Sequence, residues 1–303
     1  MQKDAYTNQE LMFEVGDGHQ LYVYDWGNKD AATPIIFLHG GPGSAVKDRY
    51  KGAFDPLVQR VIFYDQRGCG SSTPFGSLEN NTTTDLVSDI SKIADELGIN
   101  TFILNGNSWG STLALAYANA NPERVTALVI GGIFTGSKVE TDWVDQGHFK
   151  TFYPEIWQKY VDSVPTEHRV NPSAFHFDKI LNGTAEEQKL SAYAYERLEG
   201  GVMLFDDRQQ ADYFEDFDPA GTRIEVHYLA NGCFMPDRYI LKNAHKLTMP
   251  VHIVQGRYDM VCPPTTAYEI HRSLPNSQLY WTLGNHVVEH EGQNLFRSII
   301  AGL

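Results

Sequence analysis

The chain has 303 residues, of which 42% are hydrophobic and 20% charged, enough to bury a sizeable core and unlike a disordered segment. A formal net charge of -14 excludes general affinity for nucleic acid, whose phosphates would be repelled, and says little about a small substrate. Three scattered cysteines (Cys69, Cys233 and Cys262) fit neither a disulfide framework nor a paired-cysteine metal site; residues 1–6 lack a signal-peptide core and no apolar run has membrane-spanning length, so a cytoplasmic protein without membrane association is expected.

In chain order, residues 11–15 and 20–26 alternate in polarity around Gly16-Asp17-Gly18, the pattern of a β-hairpin. Pro34-Ile35-Ile36-Phe37-Leu38 and Arg60-Val61-Ile62-Phe63-Tyr64 are continuous apolar runs, as expected of strands covered on both faces. The first ends in His39-Gly40-Gly41-Pro42-Gly43, the second in Asp65-Gln66-Arg67-Gly68-Cys69-Gly70-Ser71-Ser72. Residues 84–97 carry apolar side chains at helical spacing with Gly98 as the stop, and residues 124–130 read as another strand. This alternation of strand and helix predicts an α/β protein with a mainly parallel, doubly wound sheet.

Between the helix and that last strand lies Leu104-Asn105-Gly106-Asn107-Ser108-Trp109-Gly110-Ser111-Thr112-Leu113. It reads Gly-x-Ser-x-Gly, preceded by an apolar strand and followed by an Ala/Leu-rich helix, which is the pattern of a nucleophile elbow. The flanking glycines are needed because side chains there would collide with the neighbouring strand and helix. The helix start directs free N–H groups and partial positive charge toward Ser108.

From residue 134 to 245 the rhythm changes: aromatic and charged residues mix at helical spacing and buried-strand runs disappear. The expected organisation is a core formed by residues 1–133 and 246–303, with a mostly helical cap over the sheet's C-terminal edge. Residues 250–255 return as a strand, 265–274 as a helix, 278–282 as a strand and 291–300 as a closing helix.

A serine nucleophile needs an imidazole to take its proton and a carboxylate to hold that imidazole in the correct tautomer. On this architecture the acid and then the base follow the serine, each at the end of a later strand. Asp259, after the strand at 250–255, is the candidate acid, and His286, after the strand at 278–282, the candidate base. Of the other histidines beyond Asp259, His271 falls inside a helix and His290 a turn further on. The Trp109 N–H, and the Gly41 N–H in the glycine-rich turn, are the candidate oxyanion-hole donors. Cys69 and Cys262 lie near strand ends facing the site, where they could confer sensitivity to thiol reagents. Nothing resembles a metal site, and no cofactor is expected. At this point a peptidase, a carboxylesterase or amidase, and a catalytically silent binding protein all remain open.

The set His39-Gly40-Gly41-Pro42-Gly43, Asp65-Gln66-Arg67-Gly68-Cys69-Gly70-Ser71-Ser72, Glu79-Asn80-Asn81-Thr82-Thr83, Ser108-Trp109-Gly110-Ser111-Thr112-Leu113-Ala114-Leu115, Pro122-Glu123-Arg124-Val125 and Gly256-Arg257-Tyr258-Asp259 resembles the prolyl aminopeptidases (proline iminopeptidases), serine peptidases of the α/β-hydrolase fold that release an N-terminal proline. The resemblance runs from about residue 30 to the C-terminus. It implies short peptides with a free N-terminus as substrates. It also implies that Glu199, in Tyr195-Glu196-Arg197-Leu198-Glu199, and Glu225, in Arg223-Ile224-Glu225-Val226-His227-Tyr228, bind the substrate amine. A cation entering an apolar pocket loses hydration, and paired carboxylates replace it. Phe134, Phe149, Phe152, Tyr153 and Tyr195 are candidates for the proline pocket. The chain departs from the family pattern at Asn107 and Asn285, each in place of glycine, at Gly131 in place of arginine, and at Tyr195 and Leu198 in place of tryptophans, which keeps a related broad-specificity aminopeptidase open.

Overall fold

The alternating segments at the start pair as an antiparallel hairpin, β1 (Tyr6–Gly16) and β2 (His19–Asn28). Gly16, Asp17 and Gly18 all take positive φ between them, the backbone that a tight turn between right-twisted strands requires. A computed structural model of the chain describes residues 6–205, 214, 217–287 and 290–303. The apolar runs become β3 (Ile35–Leu38), β4 (Arg60–Tyr64), β5 (Phe102–Asn107), β6 (Val125–Gly131), β7 (Val251–Gly256) and β8 (Ser277–Thr282). They join the hairpin in one eight-stranded sheet of order β1-β2-β4-β3-β5-β6-β7-β8. β2 meets β4 antiparallel, and every pairing from β4 through β8 is parallel. The C-terminal ends of β3, β5, β7 and β8, which lead into the candidate site residues, therefore open on the same edge.

Helices cover both faces of this sheet, as parallel strands require. On one face lie α1 (Thr83–Glu96) and α2 (Trp109–Ala120), with α9 (Pro264–Ser273), against Ile36, Leu38, Ile62, Leu104, Leu128 and Ile253. α1 begins with a reciprocal cap between Thr82 and Asp85 and buries Leu86, Ile90, Ile93 and Ala94, the i, i+4, i+7 stripe of an amphipathic helix. α2 is buried nearly all round, and its small Gly, Ser and Ala side chains let it lie close to the strands. On the other face α10 (His290–Ala301) packs Phe296 and Ile300 against Phe37, Phe63, Val129 and Val254.

Between β6 and β7 the described residues form only helices: α3 (Lys138–Asp145), α4 (Pro154–Asp162), α5 (Pro172–Asn182), α6 (Ala185–Met203), α7 (Ala220–Ala230) and α8 (Tyr239–Asn243), with short 3-10 turns. α3 to α6 build an apolar cluster of their own from Val144, Phe149, Ile156, Tyr160, Ile180, Tyr195, Leu198 and Val202. That cluster also takes in Met260, Val261 and Cys262 from the loop after β7. Ile224 and Tyr228 of α7, and Ile240 of α8, instead join the main sheet core. The later helices of the stretch thus rest on the sheet core, and the earlier ones on the loop after β7.

Candidate active site

Ser108 sits between β5 and α2 with φ 59° and ψ -129°, a backbone conformation that L residues avoid. The turn is this tight because its neighbours are glycines: a Cβ on Gly106 would lie 2.6 Å from the Gly110 carbonyl group, and one on Gly110 2.2 Å from the Leu38 carbonyl oxygen. The Ser108 N–H donates to the Gly131 carbonyl at the end of β6, and the Ser111 N–H and hydroxyl both donate to the Ser108 carbonyl. The serine is held by its backbone while its side chain stands partly open at the head of α2.

Asp259 and His286, both buried, meet across the ends of β7 and β8. The His286 Nδ1–H donates to the carboxylate, 3.0 Å from each oxygen, which leaves Nε2 as the free acceptor of the neutral ring. The carboxylate is held in turn by the N–H groups of Val261 (3.0 Å) and Cys262 (2.8 Å) and by Gln255 Nε2 (3.1 Å). Gln255, fully buried, also accepts from the Ile133 N–H beyond β6. Burial works against a charge on His286, but the Asp259 carboxylate, by charge and by hydrogen bond, and then Glu199 raise its pKa above the ordinary value. The Ser108 side chain lies beside the Cys262 thiol, whose sulfur is within 4.8 Å of the Asp259 and His286 ligand atoms. Ser108, His286 and Asp259 therefore share one cleft.

The His39-Gly40-Gly41-Pro42-Gly43 turn lies over the serine: a Cβ on Gly40 would be 3.5 Å from the Ser108 Cβ. Gly41 takes φ +108°, and a Cβ there would strike the Gly43 and Ser44 amides. His39 Nδ1–H donates to the Gly40 carbonyl and Nε2 accepts from the Gln66 N–H. Burial lowers the pKa of this ring and keeps it neutral, as that tautomer needs. Gln66 also donates to the His39 carbonyl and accepts from Trp109 Nε1 (2.9 Å), so one buried amide fastens the turn to the first residue of α2. The candidate donors Gly41 and Trp109 are thus on facing, mutually braced segments.

Glu199 on α6 and Glu225 on α7 share a hydrogen bond between their carboxyl groups. Burial pushes Glu199 up to about 7, against the lowering influence of nearby His286, and pushes Glu225 well above its usual range, with the Glu199 charge adding to it. Two acids this close cannot both ionise without a cation between them, so near neutral pH they share a proton. α7 reaches this position through a backbone-to-backbone contact: a Cβ on Gly43 would lie 2.1 Å from the Gly221 oxygen. Its far end is pinned by Tyr228, whose hydroxyl donates to Asn81 Oδ1 (2.8 Å). Asn81 donates in turn to the Arg67 and Ser77 carbonyls. Arg67 is buried in a two-pronged pair with Asp89 (2.7 and 2.8 Å). The motifs at 65–72 and 79–83 are the frame on which the Glu225 helix rests.

Some expectations change. Cys69 and Cys262 are 2% and 3% exposed, and burial raises both thiols far above neutral pH, so neither is the accessible thiolate that reagent sensitivity requires. Among the pocket aromatics, Phe149 and Tyr195 are sealed inside the helical cluster and Phe152 is 65% exposed, which leaves Phe134 and Tyr153 partly open. The His290 side chain lies outside the described residues.

One residue went unread in the sequence, and another was noted only as a departure from the family pattern. Asp145, at the end of α3, has a buried Oδ1 with no hydrogen-bond partner among the described residues. Burial, then Asp142 and Glu199, push its carboxyl up to about 7. Asn285 holds backbone groups of three segments. An acid in an amphipathic helix and an asparagine in a loop carry no local signal of such roles. A Cβ at 131 would lie 2.5 Å from the Val254 carbonyl oxygen, 2.8 Å from Asn107 Oδ1 and 2.9 Å from the Phe296 ring, so neighbouring backbone and side chains together close that space.

The family profile described as alpha/beta hydrolase fold matches residues 33–285. A probable proline iminopeptidase of Leptolyngbya boryana is 39% identical over 276 residues, covering 89% of this chain and 86% of the relative. The proline iminopeptidase of Neisseria meningitidis serogroup A is 40% identical over 277 residues, covering 90% and 88%. Among solved structures, a proline iminopeptidase of Mycobacterium smegmatis superposes with a TM-score of 0.63 at 21% identity, covering 97% of each chain. A serine hydrolase of Cycloclasticus gives 0.66 at 19% identity, over 98% of this chain and 99% of the other. At such identities the two structures speak for the fold alone.

Proposed function

This chain belongs to the α/β hydrolase fold and, within it, to the proline iminopeptidases, and from that premise we propose that it is a serine exopeptidase releasing an N-terminal residue, preferentially proline, from short peptides. Ser108 is the nucleophile. His286 takes its proton through Nε2 and returns it to the leaving amine, and Asp259 fixes the tautomer and stabilises the imidazolium. The N–H groups of Gly41 and Trp109 receive the oxyanion. Water then hydrolyses the acyl-enzyme with His286 acting as base again.

The observation that carries the peptidase reading is the adjoining carboxyl pair Glu199–Glu225, of which Glu199 is within electrostatic reach of His286 and Asp259. A buried acid pair beside a triad is a poor neighbour for a neutral ester and a good one for a protonated amine, which replaces the shared proton with two charge-assisted hydrogen bonds. It also sets the register, since only the bond one residue from the free end then reaches Ser108. Three free, buried cysteines support a reducing, cytoplasmic setting.

The test compares Pro-p-nitroanilide with N-acetyl-Pro-p-nitroanilide. The free amine should be required, and equal turnover of the two would leave a general amidase. Ser108→Ala should abolish turnover. Glu199→Gln should raise KM for the free-amine substrate about 10- to 100-fold, the equivalent of roughly 1.5–3 kcal/mol for a hydrogen bond to a charged group.

A further inference from the structure

Asn285 immediately precedes the candidate base and is 5% exposed. Its Oδ1 accepts from the His286 N–H (2.8 Å) and from the N–H of Met260 (3.1 Å), the residue after the candidate acid. Its Nδ2 donates to the Val202 carbonyl (2.9 Å) and lies 3.5 Å from the Tyr153 hydroxyl. Val202 is in the last turn of α6, where carbonyls have no partner within the helix. The adjacent Val287 N–H donates to the Met203 carbonyl at 3.4 Å. The loop that carries the base therefore caps the helix whose preceding turn carries Glu199. An asparagine with a purely local role would bond within its own loop; here the partners come from the acid loop, the base loop and α6.

We propose that Asn285 is a positioning residue that fixes the acid loop, the base loop and the amine-binding helix in one register. Its acceptor half holds His286 to Asp259, and its donor half holds α6, and with it Glu199, at the correct distance from the triad. The inference rests on the reading of Ser108, His286 and Glu199 given above. Side-chain amides of this kind act on turnover through geometry, because small misplacements of reacting groups are costly.

The two halves can be separated. Asn285→Ala removes both, and should lower kcat and raise KM for Pro-p-nitroanilide, with a combined loss in kcat/KM of roughly 10- to 100-fold. Asn285→Asp keeps an oxygen for the Met260 and His286 N–H groups but, once ionised, cannot donate to Val202. On the pH plateau it should retain most of kcat while KM stays raised several-fold. Labelling of Ser108 by a fluorophosphonate, which needs no amine site, should slow in Asn285→Ala and stay near the parent rate in Asn285→Asp. Thermal melts identify folded preparations, and the Asp variant, which keeps the loop tie, serves if the Ala variant does not fold. Folded variants with parental kcat and KM would overturn the proposal, as would an Asp variant that loses kcat and keeps KM. Failure of the parent to label at Ser108 would instead sink the assignment of the site itself.

Discussion

A proton and a cationic amine compete for one carboxyl pair, and this gives the proposed Glu199–Glu225 amine site a pH signature. Glu199 stands at about 7, raised by burial, and Glu225 is raised further. Below that value Glu199 is protonated and the proton competes with the substrate amine, whereas above it the Glu199 carboxylate is available. KM for Pro-p-nitroanilide should therefore rise as pH falls from about 7.5 to about 5.5, a window in which an ordinary α-amine stays charged. In Glu199→Gln the same plot should flatten, since the titrating partner is gone. A KM that ignores pH over this window in the parent, with only kcat changing, would mean that the pair does not meet the amine. The fall of kcat toward acid belongs to His286, which must be neutral to act and whose raised pKa moves that limb upward.

Among the elements, the close approach of α7 to the 39–43 turn controls whether Glu225 reaches the cleft. Gly43 has φ +93° and no room for a Cβ, with the Gly221 oxygen 2.1 Å away. Gly43→Ala should cost more than about 1 kcal/mol from the backbone conformation alone, and it should push α7 outward. The expected result is a lower melting temperature with a raised KM, measured by calorimetry and steady-state kinetics on the same preparation. A destabilised variant with unchanged KM would show that α7 does not carry the amine site. The motif at 65–72 is explained at this scale as well: its Arg67–Asp89 pair and the Asn81 bridge carry the load of Tyr228, so its value is architectural.

Across the whole molecule, buried acids link stability to pH. Asp145 has an ordinary pKa near 3.8 when exposed and stands at about 7 in the fold, chiefly through burial. Between these values the folded chain holds a proton that the unfolded chain has lost, so this group's contribution to stability falls as pH rises from about 4 to about 7 and then stays level. Glu199, raised in the same way, acts in the same direction. Asp145→Asn should melt above the parent at pH 8, with a smaller gap at pH 4.5. An equal gap at both would place the effect in packing and not in the charge.

The strands were legible in the residues alone, as was the order in which Ser108, Asp259 and His286 follow them. Apolar runs such as 35–38, 60–64 and 251–256 have one stable fate, a strand covered on both faces, and the residues that follow them must appear on one edge of a parallel sheet. Gly106, Ser108 and Gly110 were legible because the elbow's geometry leaves so few residue types possible. Only the docked fold brings Glu199 and Glu225 side by side, joins three segments through Asn285, seals Cys69 and Cys262, and leaves Phe134 and Tyr153 partly open. Those outcomes depend on how α6 and α7 dock against loops far away in the chain, and docking is fixed by side-chain volumes and hydrogen bonds summed over the interface, which no local pattern encodes.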